Sequence, residues 1–505
     1  MKRFLLLASL LLTSVAYADQ SFYLDPAGSD SNDCLTPATA CQHPNRVLAT
    51  GINHDLTSTV TVYANAGNYY AAPYASDGGA PSLADLHGLI DLEGFNIASN
   101  GSLSIIGSTQ QINPVGQVAG VVDAGTLGAS ASYPAEGWVQ LAIDGGWGNY
   151  AVDAGIAYLD GGVAVLKTNA LVGDFIQFVG GTGSGQVAPI VANDSRVINY
   201  VFQNVNDAKP NATSTFNLFA NASHFYPWPV DGGYSSSYSQ YGLVSAGNSS
   251  ASATSSTPGG GTSSYSDEAP IYVSFVDLHD APKANPSDNS GGTVYLNSAG
   301  AITVLSQVDI NAAAANYKND WLQVSGQGYL QGSYVSNGFV NVTVYPGATF
   351  FGVGDAITGS QAYGFQFEVL QGNAYIASSI LAASDGTANQ MIVDGPSNVV
   401  LESSWLNQGN ATSADIATLY NTTIQFNGVL LTTDGGAGFV QCGSRGGISI
   451  FYSPGVTLPD AGFNFISLDN GSTWTTGTGY STQDGGTAGV HQTCSQGSGC
   501  CYSNY

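Results

Sequence analysis

A chain of 505 residues with 65 glycines, 43% hydrophobic residues and only 9% charged ones is poorly suited to helical surfaces, since ordinary domains carry charge on about a quarter of their residues. Glutamate is confined to Glu93, Glu136, Glu268, Glu368 and Glu402 while Val, Ile, Thr, Tyr, Asn, Gly and Ser abound, which predicts strands and turns and excludes long helices. The formal charge of −26 repels nucleic-acid phosphates and anionic lipid, so neither is an expected partner.

Residues 1–18 read as a signal peptide: basic Lys2 and Arg3, apolar Phe4 to Leu12, and a small-x-small cleavage site at Ala16-Tyr17-Ala18. Cleavage removes two positive charges and takes the formal charge from −26 to −28. No later run reaches the ~18 apolar residues of a spanning helix, so membrane insertion is not expected. The protein is read as exported, to the cell surface, the medium or the periplasm. A polyanionic glycan would need bridging Ca²⁺ or clustered Arg and Lys, so neutral glycans suit this surface better.

Residues 19–165 read as an N-terminal cap and first strands. Phe22 to Leu24 leads into a loop rich in Ser, Asn, Asp and Thr, where Cys34 and Cys41 are spaced to close a small ring in an oxidising compartment. Asp25, Asp30 and Asp33 in that loop are either Ca²⁺ ligands or Asx-turn residues. Alternating Thr59-Val-Thr-Val-Tyr63 and Leu103-Ser-Ile-Ile-Gly107 follow. Short strands with one apolar face bury it only by stacking. This opening, over about residues 20–130, resembles the first coil of right-handed parallel β-helix proteins of the pectin lyase-like superfamily.

The resemblance implies an all-β right-handed parallel β-helix, a solenoid, with a small inserted β unit and long polar loops. The insert is placed at 166–225, where Leu171 to Phe178 and Pro210 to Phe216 resemble a β unit that decorates phage tail and large β-helix proteins. Residues 226–299 turn to Ser, Gly and Tyr and read as a loop excursion. Coils are expected at 300–440, followed by a disulfide-linked polar tail at 441–505, with Cys442 paired to Cys494, Cys500 or Cys501.

Within the coils, Ser379, Ser404 and Thr423 recur at spacings of 25 and 19 residues, the length of one solenoid turn. Stacked strands make such a fold a ruler for paired acids, because neighbouring coils lie about 4.8 Å apart. The column through Glu402 aligns with Ala377 and Asn421 and offers no acid pair. The strongest catalytic constellation is Asp277-Leu-His279-Asp280, where alternation places Asp277 and His279 on one side, within reach of a shared proton or ion. The alternative is a strand end entering the Pro282 turn.

The motifs of polygalacturonase-like members of the superfamily, an Asn-Thr-Asp, a paired Asp-Asp, a Gly-His-Gly and an Arg-Ile-Lys, are absent, and Arg196 and Arg445 match no lyase motif. No catalytic residue carries over. Flat rings pack on sugar faces, and Tyr226, Trp228, Tyr234, Tyr238 and Tyr241 are the glycan-binding candidates, with Phe225 and Trp228 also suited to anchoring the loop.

The sequence thus predicts a protein, monomeric or homotrimeric, that presents an extended face to extracellular polysaccharide or a cell surface. Two alternatives stand beside it: a carbohydrate-active enzyme, hydrolase or lyase, and a purely structural surface or appendage protein. Acids in adjacent coils would favour the enzyme; a face of Tyr, Asn and Thr would favour binding. No cofactor beyond Ca²⁺ is indicated.

Overall fold

The computed structural model describes residues 19–47, 55–56, 59–70, 90–91, 96–97, 102–112, 127–129, 136–140, 157–160, 163–195, 197–201, 210, 214–226, 244–246, 271–279, 294–296, 302–311, 320–324, 326–338, 340–359, 365–382, 389–407, 416–419, 422–427, 430–432, 440–442, 447–452, 466–468 and 500–504. Residues 1–18, read from the sequence as a signal peptide, lie outside them.

Alternation decides the local structure. In Thr59–Ala64 the side chains of Val60, Val62 and Ala64 are buried while Thr59, Thr61 and Tyr63 turn outward. The same pattern repeats in Ser102–Ile106, Gln327–Gln331, Thr349–Val353, Asn373–Ala377 and Asn398–Glu402. These strands pair in parallel with one another, coil upon coil, and the first sheet they form has 12 strands among the described residues. A second parallel sheet of nine strands and a third of ten complete the coil.

The chain visits the three sheets in rotation: Gln327–Gln331 in the first, Tyr334–Ser336 in the second, Val340–Val344 in the third, then Thr349–Val353 back in the first. Such a path is a right-handed parallel β-helix, the hand that parallel crossovers adopt. The architecture implied by the opening strands is therefore the observed one. A continuous core runs along its axis from Phe22 to Ile424. Large and small residues interlock there: a Cβ added to Gly352 would lie 3.0 Å from a Phe350 ring carbon.

The corner between first and second sheets is built alike in successive coils. Phe275, Gln307, Gly332, Gly354, Ser378 and Ser403 have positive φ, between 46° and 71°, which turns the chain sharply. The next residue in several coils offers an oxygen to the neighbouring backbone. Val308 N–H donates to Ser333 Oγ (3.1 Å), Ser333 N–H to Asp355 Oδ1 (2.9 Å), Asp355 N–H to Ser379 Oγ (3.1 Å) and Ser379 N–H to Ser404 Oγ (3.1 Å). The Ser379–Ser404 repeat is thus a structural ladder that satisfies buried amides. Thr423 is not its third member, because it pairs with Asn398 inside the first sheet. The same shift places Asn427, not Asn421, beside Glu402.

One corner carries the insertion. Strands Thr109–Gln111, Leu127–Ala129, Glu136–Gln140, Phe175–Gly180, Val187–Asn193, Val197–Val201 and Thr215–Asn221 form a seven-stranded sheet with antiparallel pairings. The unit begins at Thr109, well before residue 166, where the change from parallel coils was expected. Its ends are joined: Ser108 N–H donates to Ser223 Oγ (2.8 Å) and Ala222 N–H to Ser108 O (2.8 Å). It has its own core, including Ile176, Phe178, Ile198, Tyr200 and Leu218. It packs on the outside of the second sheet through Val201, Val172 and Val191 against Tyr334, Ala356, Ile380 and Trp405.

The segment 226–299 is not wholly an excursion, because Val244–Ala246, Ile271–Ser274, Val276–His279 and Val294–Leu296 belong to the three parallel sheets. Parallel pairing also continues past residue 440, through Gly447–Tyr452 to Cys500–Asn504. A few β-branched residues per strand suffice when neighbouring coils supply the register. Cys34 and Cys41 are disulfide-bonded, with Cα atoms 5.0 Å apart. Among the described residues no helix is long and apolar enough to cross a membrane.

Candidate functional site

Two outward faces of the helix concentrate functional chemistry. On the second sheet, His224, Asp277, Asp309 and Tyr334 occupy one register column in successive coils. Leu278 is fully buried, so alternation turns Asp277 and His279 outward together. His224 Nδ1 lies 2.9 Å from Asp277 Oδ2 and 3.3 Å from His279 Nε2. The imidazole rings are 5.4 Å apart, centre to centre. Asp280, the third residue of the expected constellation, lies outside the described residues.

The insertion roofs the far end of this column. Gly173, with φ +93°, passes so close that a Cβ there would lie 3.2 Å from Asp309 Oδ2 and 3.7 Å from the Tyr334 ring. Asp309 is consequently only 9% exposed, and its Oδ1 has no hydrogen-bond partner among the described residues. Burial, then the charges of Asp277 and Asp174, push its carboxyl well above the usual range. Asp174 is raised as well, by burial and by Asp277. Burial lowers the His279 imidazole, against the pull of Asp277 and with His224 adding to it. Tyr334 donates no proton to solvent at neutral pH: burial holds its phenol at about 12.

The other face is the outside of the first sheet. Val304, Tyr329, Phe351, Tyr375 and Val400 follow one another in a register column, with Tyr272 one coil before Val304. Tyr329 and Phe351 stack with ring centres 4.7 Å apart and planes 11° from parallel, and Tyr375 follows at 6.4 Å in a tilted arrangement. Tyr272 is 42% exposed and the other three rings are half-buried. Beside them runs a polar column, Gln327, Thr349, Asn373, Asn398 and Thr423. Asn398 Nδ2 donates to Asn373 Oδ1 at 3.0 Å. On the other flank, the Tyr375 hydroxyl donates to Glu402 Oε2. Burial, then this bond to Glu402, raise the Tyr375 phenol to about 12.

The remaining expected residues are distributed differently. The backbone of Tyr226 ends the strand Ser223–Tyr226; Trp228, Tyr234, Tyr238 and Tyr241 lie outside the described residues. Phe225 is a core residue stacked on Tyr69 at 5.0 Å. In the cap loop, Asp25 Oδ1 accepts from Ala27 N–H and Asp33 Oδ1 from Leu35 N–H, the geometry of Asx turns. Asp30 accepts from Gln42 and His43 N–H and bonds His43 Nδ1 at 2.6 Å. Burial would raise Asp30, but these bonds hold it below the usual range.

His224, Asp174, Asp309 and the aromatic column went unnoticed in the sequence. His224 is 53 residues from Asp277, and only the coil register brings them together. The aromatics had a readable signal: each sits mid-strand between two inward-facing positions, as Tyr272 does between Ile271 and Val273.

No family model and no curated protein matches this chain. Among solved structures, it is similar to a complex of XylC with xylose, at 10% identity over 86% of this chain and 70% of that one, with a TM-score of 0.29. A structure titled glycoside hydrolase aligns at 8% identity over 90% of this chain and 97% of that one, TM-score 0.24. The Gp54 tailspike of Acinetobacter baumannii bacteriophage AP22, in complex with capsular saccharide, aligns at 10% identity over 84% and 64%, TM-score 0.21. Likenesses of this depth assign no activity. The functional reading comes from this chain's own residues.

Proposed function

We propose that this protein is an exported β-helix that binds an extended, neutral polysaccharide along the outside of its first sheet. The observation that carries the reading is the column Tyr329, Phe351 and Tyr375, repeated coil by coil beside the amides of Asn373 and Asn398. The ring column offers a continuous apolar strip to sugar C–H groups, and amides satisfy hydroxyls beside it. The acidic surface suits an uncharged glycan. Affinity electrophoresis of the purified chain through gels containing neutral or acidic polysaccharides tests this: retardation by a neutral glycan supports it, and unaltered mobility in all of them refutes it.

Hydrolysis is the second reading, and one observation favours it. Asp277 and Asp309 are register partners in adjacent coils, a rung of about 4.8 Å that approaches the separation of a retaining carboxyl pair. Burial of Asp309 beneath Gly173 closes that carboxyl to a sugar, so binding is the better supported reading. New reducing ends released from the same glycans would reverse this order.

A further inference from the structure

The side chains of His224, Asp277 and His279 bring one carboxylate oxygen and two imidazole nitrogens together at one point on the outer face. The single in-plane position of His224 Nδ1 faces two partners at once, Asp277 Oδ2 at 2.9 Å and His279 Nε2 at 3.3 Å. A proton there serves the carboxylate and leaves His279 Nε2 facing either the same proton or, if itself protonated, another donor. A lone pair there faces the carboxylate's lone pairs instead.

A cation can take the place of that shared proton, with the three atoms as its donors. The three donor atoms lie within 4.8 Å of one another. Ligands about 2.0–2.1 Å from a tetrahedral zinc ion are about 3.3 Å apart, close to the two separations observed. We propose that His224, Asp277 and His279 form a binding site for a divalent d-block cation of the zinc class.

Three further features fit. Two imidazoles and one carboxylate select a borderline ion over Ca²⁺ or Mg²⁺, which prefer oxygen. Val276 and Leu278, on either side of Asp277, are fully buried and fix the strand, so Asp277 and His279 are held on its outer face. His224 and Asp277 are partly exposed, at 32% and 13% of their side chains, so an ion has a way in. The ion would clip the strand Ser223–Tyr226 to Val276–His279 and so close the long chain segment between them. This site is separate from the aromatic face and stands whether or not that face binds glycan.

The test uses the untagged mature chain with its disulfides intact, stripped by a chelator and titrated with Zn²⁺. The expected results are one tightly held zinc per chain, a higher melting temperature on loading, and a Co²⁺ derivative with tetrahedral d–d bands and no sulfur charge-transfer band. His224→Ala and His279→Ala should each weaken zinc binding by at least about 100-fold, more than typical losses from supporting residues. Loading the wild type with Cu²⁺ needs no variant: its electron paramagnetic spectrum should show coupling to imidazole nitrogens. Absence of saturable zinc uptake by the folded wild type, or folded variants that bind as tightly as it does, overturns the proposal. So does a spectrum dominated by thiolate.

Discussion

The rings of Tyr329 and Phe351, in neighbouring coils, lie 4.7 Å apart and nearly parallel on the outside of the first sheet. Their spacing is set by the strand ladder, so the stacked rings present an apolar strip of ring edges along this face.

Tyr329→Ala and Phe351→Ala should therefore each weaken retention on the bound glycan by about fivefold, the effect of losing about 1 kcal/mol of ring contact. Both substitutions are on the outer face, and melting temperatures should stay near that of the wild type. Equal retention of the double variant and the wild type would count against the aromatic face.

Ser379→Ala removes the oxygen that accepts Asp355 N–H within the buried corner ladder. An orphaned buried amide costs about 1–3 kcal/mol, so denaturant unfolding should show a loss of that size. Ser379→Thr, which keeps the hydroxyl, should recover part of it.

Asp355 is fully buried in the same ladder, and burial pushes its carboxyl well above the usual range, while bonds from Ser333 and Val353 N–H oppose the shift. The folded state thus holds this proton more tightly than the unfolded one. Its contribution is full below about pH 4 and is lost as pH rises toward the raised folded value. Asp355→Ser supplies the hydroxyl found at Ser333, Ser379 and Ser404, and should melt at a higher temperature relative to wild type at pH 7 than at pH 3. Thermal unfolding at the two pH values checks the sign.

Gly173→Ala places a Cβ at φ +93° and within 3.2 Å of Asp309 Oδ2. Strain and contact together should destabilise the docking of the insertion by about 1–3 kcal/mol. Limited proteolysis should cut the insertion sooner in this variant, with the coils 327–407 still protected.

The solenoid was legible because its evidence is local: alternation in Thr59–Ala64, and the Ser379–Ser404 repeat, are each visible within one coil or two. Side-by-side placement of Asp277 and His279 was legible for the same reason, since it needs only strand periodicity. His224 and Asp309 were not, because their proximity depends on coil lengths that vary, such as the 22 residues from Gln327 to Thr349 and the 25 from Asn373 to Asn398. The insertion's true start was hidden too. Thr109–Gln111 is short and polar, and becomes a strand only by pairing with Phe219–Asn221.

Leu103 and Ile271 are neighbours in the first sheet, although the insertion and a long further segment separate them in sequence. The chain between them is roughly seven times that of an ordinary coil, which adds about 1.7 kcal/mol to the entropy of closing that contact. Apart from the insertion packed on their second sheet, the described downstream strands pair with the coils immediately before and after them. Contact order therefore differs within one continuous fold: the part beyond residue 300 can assemble by quick local steps, whereas the N-terminal coils must wait for a distant strand to arrive. During synthesis the chain would carry its earliest strands unpartnered on one edge until Ile271–Ser274 emerges, which makes that interval the period of greatest exposure to mispairing.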